Sequence, residues 1–198
     1  MAVEYKPLGL THVVYQDGSI ISKFLAVATL TPICAGIALL AAFAVTRRLG
    51  WLWALVGAIF VDVFCVVLKD VIQQPRPVGS YRKGPGMPSE HAAVSVFLAI
   101  HLTLWMVRRV QGSVMLRVCA CLLLFVWASL VVISRHHLGV HSAAQLAIGG
   151  TIGAFMGAMW FILEGQLYGF LLQAQRFVDT SWKWLDISTD HYSNIHRD

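Results

Sequence analysis

The stretch KDVIQQPRPVGSYRKGPGMPSEH, Lys69 to His91, is the longest polar, turn-rich interval in an otherwise very apolar chain. It holds Lys69, Arg76, Arg82 and Lys83, and closes on Ser89, Glu90 and His91 where the next apolar run begins. A cationic cluster pinned between two apolar segments points to an anion site held at a membrane surface.

Outward from this stretch the chain is lipid-like. Of its 198 residues 58% are hydrophobic and 13% charged, and the apolar ones come in long blocks rather than amphipathic stripes. Lipid is therefore the expected solvent for most of the length. The formal net charge of +5 lies between those blocks, which favours anionic lipid or phosphate over nucleic acid as the partner. Cys34, Cys65, Cys119 and Cys121 all lie inside apolar blocks. They read as small hydrophobes, not as a disulfide framework or zinc site.

Residues 1–19 form a polar surface tail. Five apolar blocks follow within a transmembrane domain spanning 20–172: Ile20 to Thr46, Trp51 to Leu68, His91 to Val107, Val118 to Ile133, and Ala143 to Leu163 or as far as Leu172. A crossing helix needs roughly 20 residues, and the first block is too long for the apolar core of a cleaved signal peptide. Pro32 is expected to kink it. Backbone polar groups must be satisfied within lipid, so the blocks should be helices. The prediction is an all-α integral membrane protein, a bundle of about five transmembrane helices with its site at one membrane face. Residues 173–198 read as a polar tail, with Trp182, Trp184 and Tyr192 suited to the headgroup layer.

Topology then becomes arithmetic. A second polar knot, SRHHLGVHSAAQ from Ser134 to Gln145, lies two crossings beyond the first. Both knots must face the same side. The opposite side carries Arg47, Arg48, Arg108, Arg109, Arg117 and Arg176, against Lys6, Lys23, Arg82 and Lys83 on the knot side. The positive-inside rule places the knots away from the cytosol and the C-terminus in it. In the fifth block Gly149, Gly153 and Gly157 recur every four residues. That stripe serves close packing within the bundle or, alternatively, a homodimer face.

Three short pieces carry chemistry. Lys69 and Arg76, the latter flanked by Pro75 and Pro77, offer a point charge and a planar fork suited to a tetrahedral phosphate, though flanking charge alone also explains such a pair. Ser89, Glu90 and His91 open the third block, where a helix N-terminus favours an anion; the plainer reading is a helix cap. His101 in the same block reads as an interhelical contact. In the second knot Arg135 precedes His141 by six residues, and Gln145 lies one helical turn beyond His141. The Gln145 carbonyl can then accept from one imidazole nitrogen, fix the tautomer and leave the other nitrogen free to attack. His136 and His137 lack that partner spacing.

Lys69-x6-Arg76-Pro77, Pro88-Ser89-x-His91 and Ser134-Arg135-x5-His141 resemble, in order and spacing, the three-part signature of the membrane-embedded type-2 phosphatidate phosphatase superfamily. Within it the chain looks most like the dolichyl-diphosphatases, through Leu10-Thr11-His12-Val13, Val71-Ile72-Gln73-Gln74-Pro75-Arg76-Pro77, and Gln145 where most relatives carry Asp. The resemblance implies hydrolysis of a polyprenyl diphosphate in the endoplasmic reticulum membrane, with no cofactor and no metal. It implies that His141 attacks the terminal phosphorus, His91 protonates the leaving group, and Lys69, Arg76, Ser89 and Arg135 hold the phosphoryl oxygens. The other readings are a phosphatase of phosphatidate, sphingoid phosphate or undecaprenyl diphosphate, and a lipid-binding or transport relative without turnover.

Two departures follow. Gln145 brings no charge to His141, so Asp62, an acid on the face of the second block that also carries Lys69, becomes a candidate helper; a structural ion pair is its plainer role. Glu90 stands where the common residue is small. A carboxylate beside phosphate costs affinity, so Glu90 is expected to turn away and pair with Arg82 or Lys83.

Overall fold

The computed structural model describes residues 5–7 and 13–195, with side-chain surroundings for 13–183. Of the Leu10–Val13 stretch, the first three residues lie outside the described set, as do the side chains of Trp184 and Tyr192. The element order is β1 (Tyr5–Pro7), β2 (Val14–Gln16), α1 (Ile20–Ala28), α2 (Thr31–Thr46), α3 (Leu49–Ile72), α4 (Glu90–Arg109), α5 (Val114–His137), α6 (Ala143–Gln166) and α7 (Tyr168–Ile195). Among the described residues five segments are long and apolar enough to cross a membrane: Ile20–Thr46, α3, α4, α5 and α6. The outer faces carry exposed Ile37, Leu40, Phe60, Val63, Leu123 and Phe155, side chains that suit hydrocarbon. The protein is an integral membrane protein built as a helical bundle.

The first span is two helices. Ser19 caps α1 by accepting from the Ser22 amide, and α1 ends at Ala28. Pro32 lies in the first turn of α2, where its missing N–H removes no helical bond. It therefore opens a second helix rather than kinking a continuous one. Thr29 lies between the two, fully buried. The first 19 residues are not a plain tail either: β1 and β2 pair antiparallel, and Val13 clusters with Ala26 of α1 and with Leu138 and Val140 of the second knot.

α4 is the most buried span and packs on α3, α5 and α6. A methyl group added at Gly149 would lie 2.5 Å from the Ser89 carbonyl oxygen, and one at Gly157 would lie 2.8 Å from that of Phe97. One at Gly153 would collide with the Ala93 carbonyl. The glycine stripe thus lets the α6 backbone lie directly on α4. That face is used within the chain, which corrects the homodimer alternative for it.

The far end of the bundle is closed by α7, which makes the expected polar tail helical. α6 stops at Gln166, short of Leu172, and α7 follows after Leu167. Gln175 of α7 accepts from the Leu49 amide at 2.8 Å and donates to the Arg47 carbonyl at 2.9 Å, tying α7 to the α2–α3 turn. His101 is buried in α4, stacked on Phe97, with Nε2 3.9 Å from a Glu164 carboxylate oxygen of α6. It is the interhelical contact its position suggests.

Candidate active site

The two polar knots meet at one end of the bundle. α3 ends at Ile72 because Gln73 takes the left-handed conformation (φ 51°) and returns its amide to the Lys69 carbonyl. The prolines that follow then hold the chain extended. This leaves Lys69 buried on the last turn of α3 and places Arg76 in the loop, half-buried. The loop folds back on itself through the Gly86 amide, which donates to the Gln74 carbonyl at 2.7 Å. Ser89 then caps α4, with Glu90 and His91 in its first turn.

From the second knot, His141 sits just before α6. Its Nδ1 lies 3.0 Å from the Gly86 carbonyl oxygen and 3.3 Å from Gln145 Oε1. Both are acceptors, so Nδ1 carries the proton and Nε2 keeps its lone pair. That lone pair faces Arg76, whose Nη1 is 3.2 Å away and also donates to the Val140 carbonyl at 3.1 Å. The His141 pKa is pushed down from 6.5 to about 3, first by burial and then by the charges of Arg135, Arg76 and Lys69, with the Gln145 contact opposing them. Burial and the neighbouring Arg82 push Arg76 below its ordinary value, yet a guanidinium stays charged at any physiological pH. A neutral imidazole held among cations has the lone pair and the electrostatic setting to attack an anionic electrophile.

Arg135 is buried at the end of α5, where its Nη1 donates to Thr29 Oγ1 at 2.8 Å. No local pattern marks Thr29, because only the break between α1 and α2 brings it there. Arg135 Nε and Nη2, Arg76 Nε and Ser89 Oγ are buried without a hydrogen-bond partner. Such groups are rare and costly in a folded protein. Here they belong to three of the four residues expected to hold phosphate.

With this geometry in place, comparison with known proteins is decisive. Residues 50–167 match the PAP2 superfamily. The chain belongs to that superfamily. It is 32% identical over 157 residues to dolichyldiphosphatase 1 of Dictyostelium discoideum, covering 77% of this chain and 69% of the relative. It is 29% identical over 178 residues to dolichyldiphosphatase 1 of Mus musculus, covering 84% and 75%. The fold resembles that of a transmembrane PAP2-type phosphatidylglycerolphosphate phosphatase from Bacillus subtilis, with a TM-score of 0.62, 18% identity, and coverage of 73% of this chain and 77% of that one. The protein is thus a membrane lipid phosphatase of the PAP2 superfamily.

Its departures from the common PAP2 pattern now have geometry. Gln145 donates through Nε2 to the Pro75 carbonyl at 2.8 Å and to Gln74 Oε1 at 3.1 Å. Its Oε1 accepts from the Ser142 amide at 3.1 Å, closing a capping box. Pro75 requires a donor and Ser142 an acceptor, which fixes the amide orientation. Asp at this position would supply no donor, so the neutral amide clamps both knots together as well as facing His141.

The expected partners of Glu90 are corrected. Its Oε1 lies 2.6 Å from Lys69 Nζ, while Arg82 and Lys83 are exposed in the loop. α4 starts beside the last turn of α3, so the nearest cation to a carboxylate at its first residue is Lys69. Asp62 is not brought to His141. It lines a cleft of ≈ 260 Å³ between α2, α3 and α4 with Glu90 and His91. His136 Nδ1 lies 3.4 Å from the His141 carbonyl oxygen.

Proposed function

We propose that the protein hydrolyses a polyprenyl diphosphate, dolichyl diphosphate foremost, to the monophosphate and inorganic phosphate through a phosphohistidine at His141. The observation that carries this reading is the pairing of Nδ1 with the Gly86 carbonyl, which leaves the Nε2 lone pair facing Arg76 beside buried donors without partners. The relatives named dolichyldiphosphatase support the choice of substrate.

In this mechanism a terminal phosphoryl oxygen takes over the Arg76 donor and frees Nε2. Lys69, Arg76, Ser89 and Arg135 bind the phosphoryl oxygens and stabilise their charge in the transition state. Nε2 attacks phosphorus as the bond to the bridging oxygen breaks, and His91, charged as the imidazolium beside the bound diphosphate, gives its proton to that oxygen and becomes neutral. A water, deprotonated by His91, then attacks the phosphohistidine, and inorganic phosphate leaves with His141 neutral again. The site lies at one end of a bundle, so the tail remains in lipid while the diphosphate reaches water. The excess of arginines at the opposite end supports a site facing away from the cytosol, the lumenal face in our reading of an endoplasmic reticulum protein, with the C-terminus cytosolic.

The test gives purified protein dolichyl diphosphate, dolichyl monophosphate and phosphatidate, with and without chelator, and follows phosphate release. Release from the diphosphate alone, unchanged by chelator, is the expected result. Preference for phosphatidate would reassign the substrate, and no release from any of them would favour a binding or transport role.

A further inference from the structure

Of the four residues expected to hold phosphate, Lys69 is the one already held by a carboxylate of the chain. The Glu90–Lys69 pair is short, 2.6 Å, and both side chains are largely shielded, 21% and 9% exposed. Glu90 is the first residue of α4, so its carboxylate enjoys the positive helix end as well as the ammonium. Behind it the cleft lined by Pro32, Ile33, Ala58 and Val94 has Asp62 and His91 as its other polar residues. Asp62 lies within electrostatic reach of both Glu90 and Lys69.

We propose that Glu90 is an intramolecular competitor for the phosphate site: it occupies Lys69 when no phosphate is bound, and its return to Lys69 expels inorganic phosphate after turnover. A phosphoryl group that takes Lys69 must displace the Glu90 carboxylate. The displaced carboxylate borders an apolar cleft that holds a second carboxylate, Asp62, and both disfavour it there. That cost falls on every anion that uses Lys69, but not every anion recovers it. A lipid diphosphate regains it from contacts made by its second phosphate and its tail, whereas free orthophosphate has no remote group to draw on. Glu90 therefore discriminates against the product while tolerating the substrate, and Asp62 reinforces its return. The inference rests on the proposed function at one point, that Lys69 is a phosphate ligand.

The experiment measures product inhibition by inorganic phosphate on the full-length enzyme turning over dolichyl diphosphate. Glu90→Gln and Glu90→Ser should each lower the Ki for phosphate roughly tenfold, the factor that about 1.4 kcal/mol makes, and Glu90→Asp should restore weak inhibition. Asp62→Asn should move Ki in the same direction by a smaller factor. In the Lys69→Met background, Glu90→Gln should no longer alter the rise in melting temperature that phosphate causes, an outcome a merely structural role would not produce. Thermal unfolding gives a second readout that needs no turnover: phosphate should raise the melting temperature of Glu90→Gln more than that of the parent. Intact turnover with an unchanged or higher Ki in Glu90→Gln and Glu90→Ser overturns the inference alone. Absence of both turnover and any thermal response to phosphate overturns the proposed function and this inference with it.

Discussion

The Nδ1 nitrogen of His141 lies 3.0 Å from the carbonyl oxygen of Gly86, joining the residue that would attack to the loop that leads into the Ser89–His91 turn. Gly86 was not among the residues the sequence singled out. Its backbone approaches Gln145 so closely that an added methyl would lie 2.6 Å from the amide nitrogen, and that amide is pinned at both ends. Gly86→Ala should therefore displace Gln145 and loosen the imidazole. Phosphate release should fall by about 10- to 100-fold in kcat, on the order of what misplacing a reacting group costs, with a smaller change in KM and unchanged helix content by circular dichroism.

Gln145→Asp restores the residue more common in the superfamily, yet it should impair this protein. Asp cannot donate to the Pro75 carbonyl or to Gln74, and it is too short to span the contacts that Gln145 makes. Losing a typical hydrogen bond costs roughly 0.5–1.5 kcal/mol. The expected result is lower thermal stability together with lower kcat; a faster or more stable enzyme would show that the clamp matters less than a negative charge near His141.

The depressed pKa of His141 makes two pH predictions. With a folded-state value of about 3 against 6.5, the unfolded chain binds more protons between those values, so stability from this group is complete above pH 6.5 and is lost as pH falls toward 3. His141→Asn should show a weaker loss of melting temperature over that range than the parent. In kcat/KM, His141 should contribute no acid limb near pH 6–7, because its Nε2 stays unprotonated well below that range.

The α6 glycines face α4 at backbone distance. Gly153→Ala should destabilise the bundle by about 1–3 kcal/mol, the usual range for overpacking, as measured by thermal or denaturant unfolding in detergent. The oligomeric state, followed by light scattering, should not change.

Much of this fold was legible because lipid leaves the chain little choice: long apolar runs must be helices, and two crossings between the knots fix them on one face. The contact between Arg76 and His141, 65 positions apart in sequence, follows from that count. Helix ends were less legible. α5 begins at Val114 and runs through Arg135 to His137, because its charged ends lie beyond the hydrocarbon and continue the same backbone ladder. The polar α7 lacked an apolar run to announce it and shows its anchoring through Gln175 and through Arg47 and Arg109, which lie over the Trp182 and Tyr168 rings. At the site, residue types revealed the cationic grip and the imidazole. The Glu90 pairing, the Thr29 contact and the Gly86 acceptor depend on where α1, α3 and α4 stop relative to one another, which no local pattern encodes.

The central claim is that His141 carries the phosphoryl group. Dolichyl diphosphate labelled at the terminal phosphorus would be mixed with the enzyme, quenched under alkaline conditions that preserve phosphohistidine, and the labelled peptide sequenced by mass spectrometry. Label is expected on His141 and absent from His141→Ala, which should also release no phosphate. Label on another residue, or continued phosphate release by His141→Ala, would contradict it.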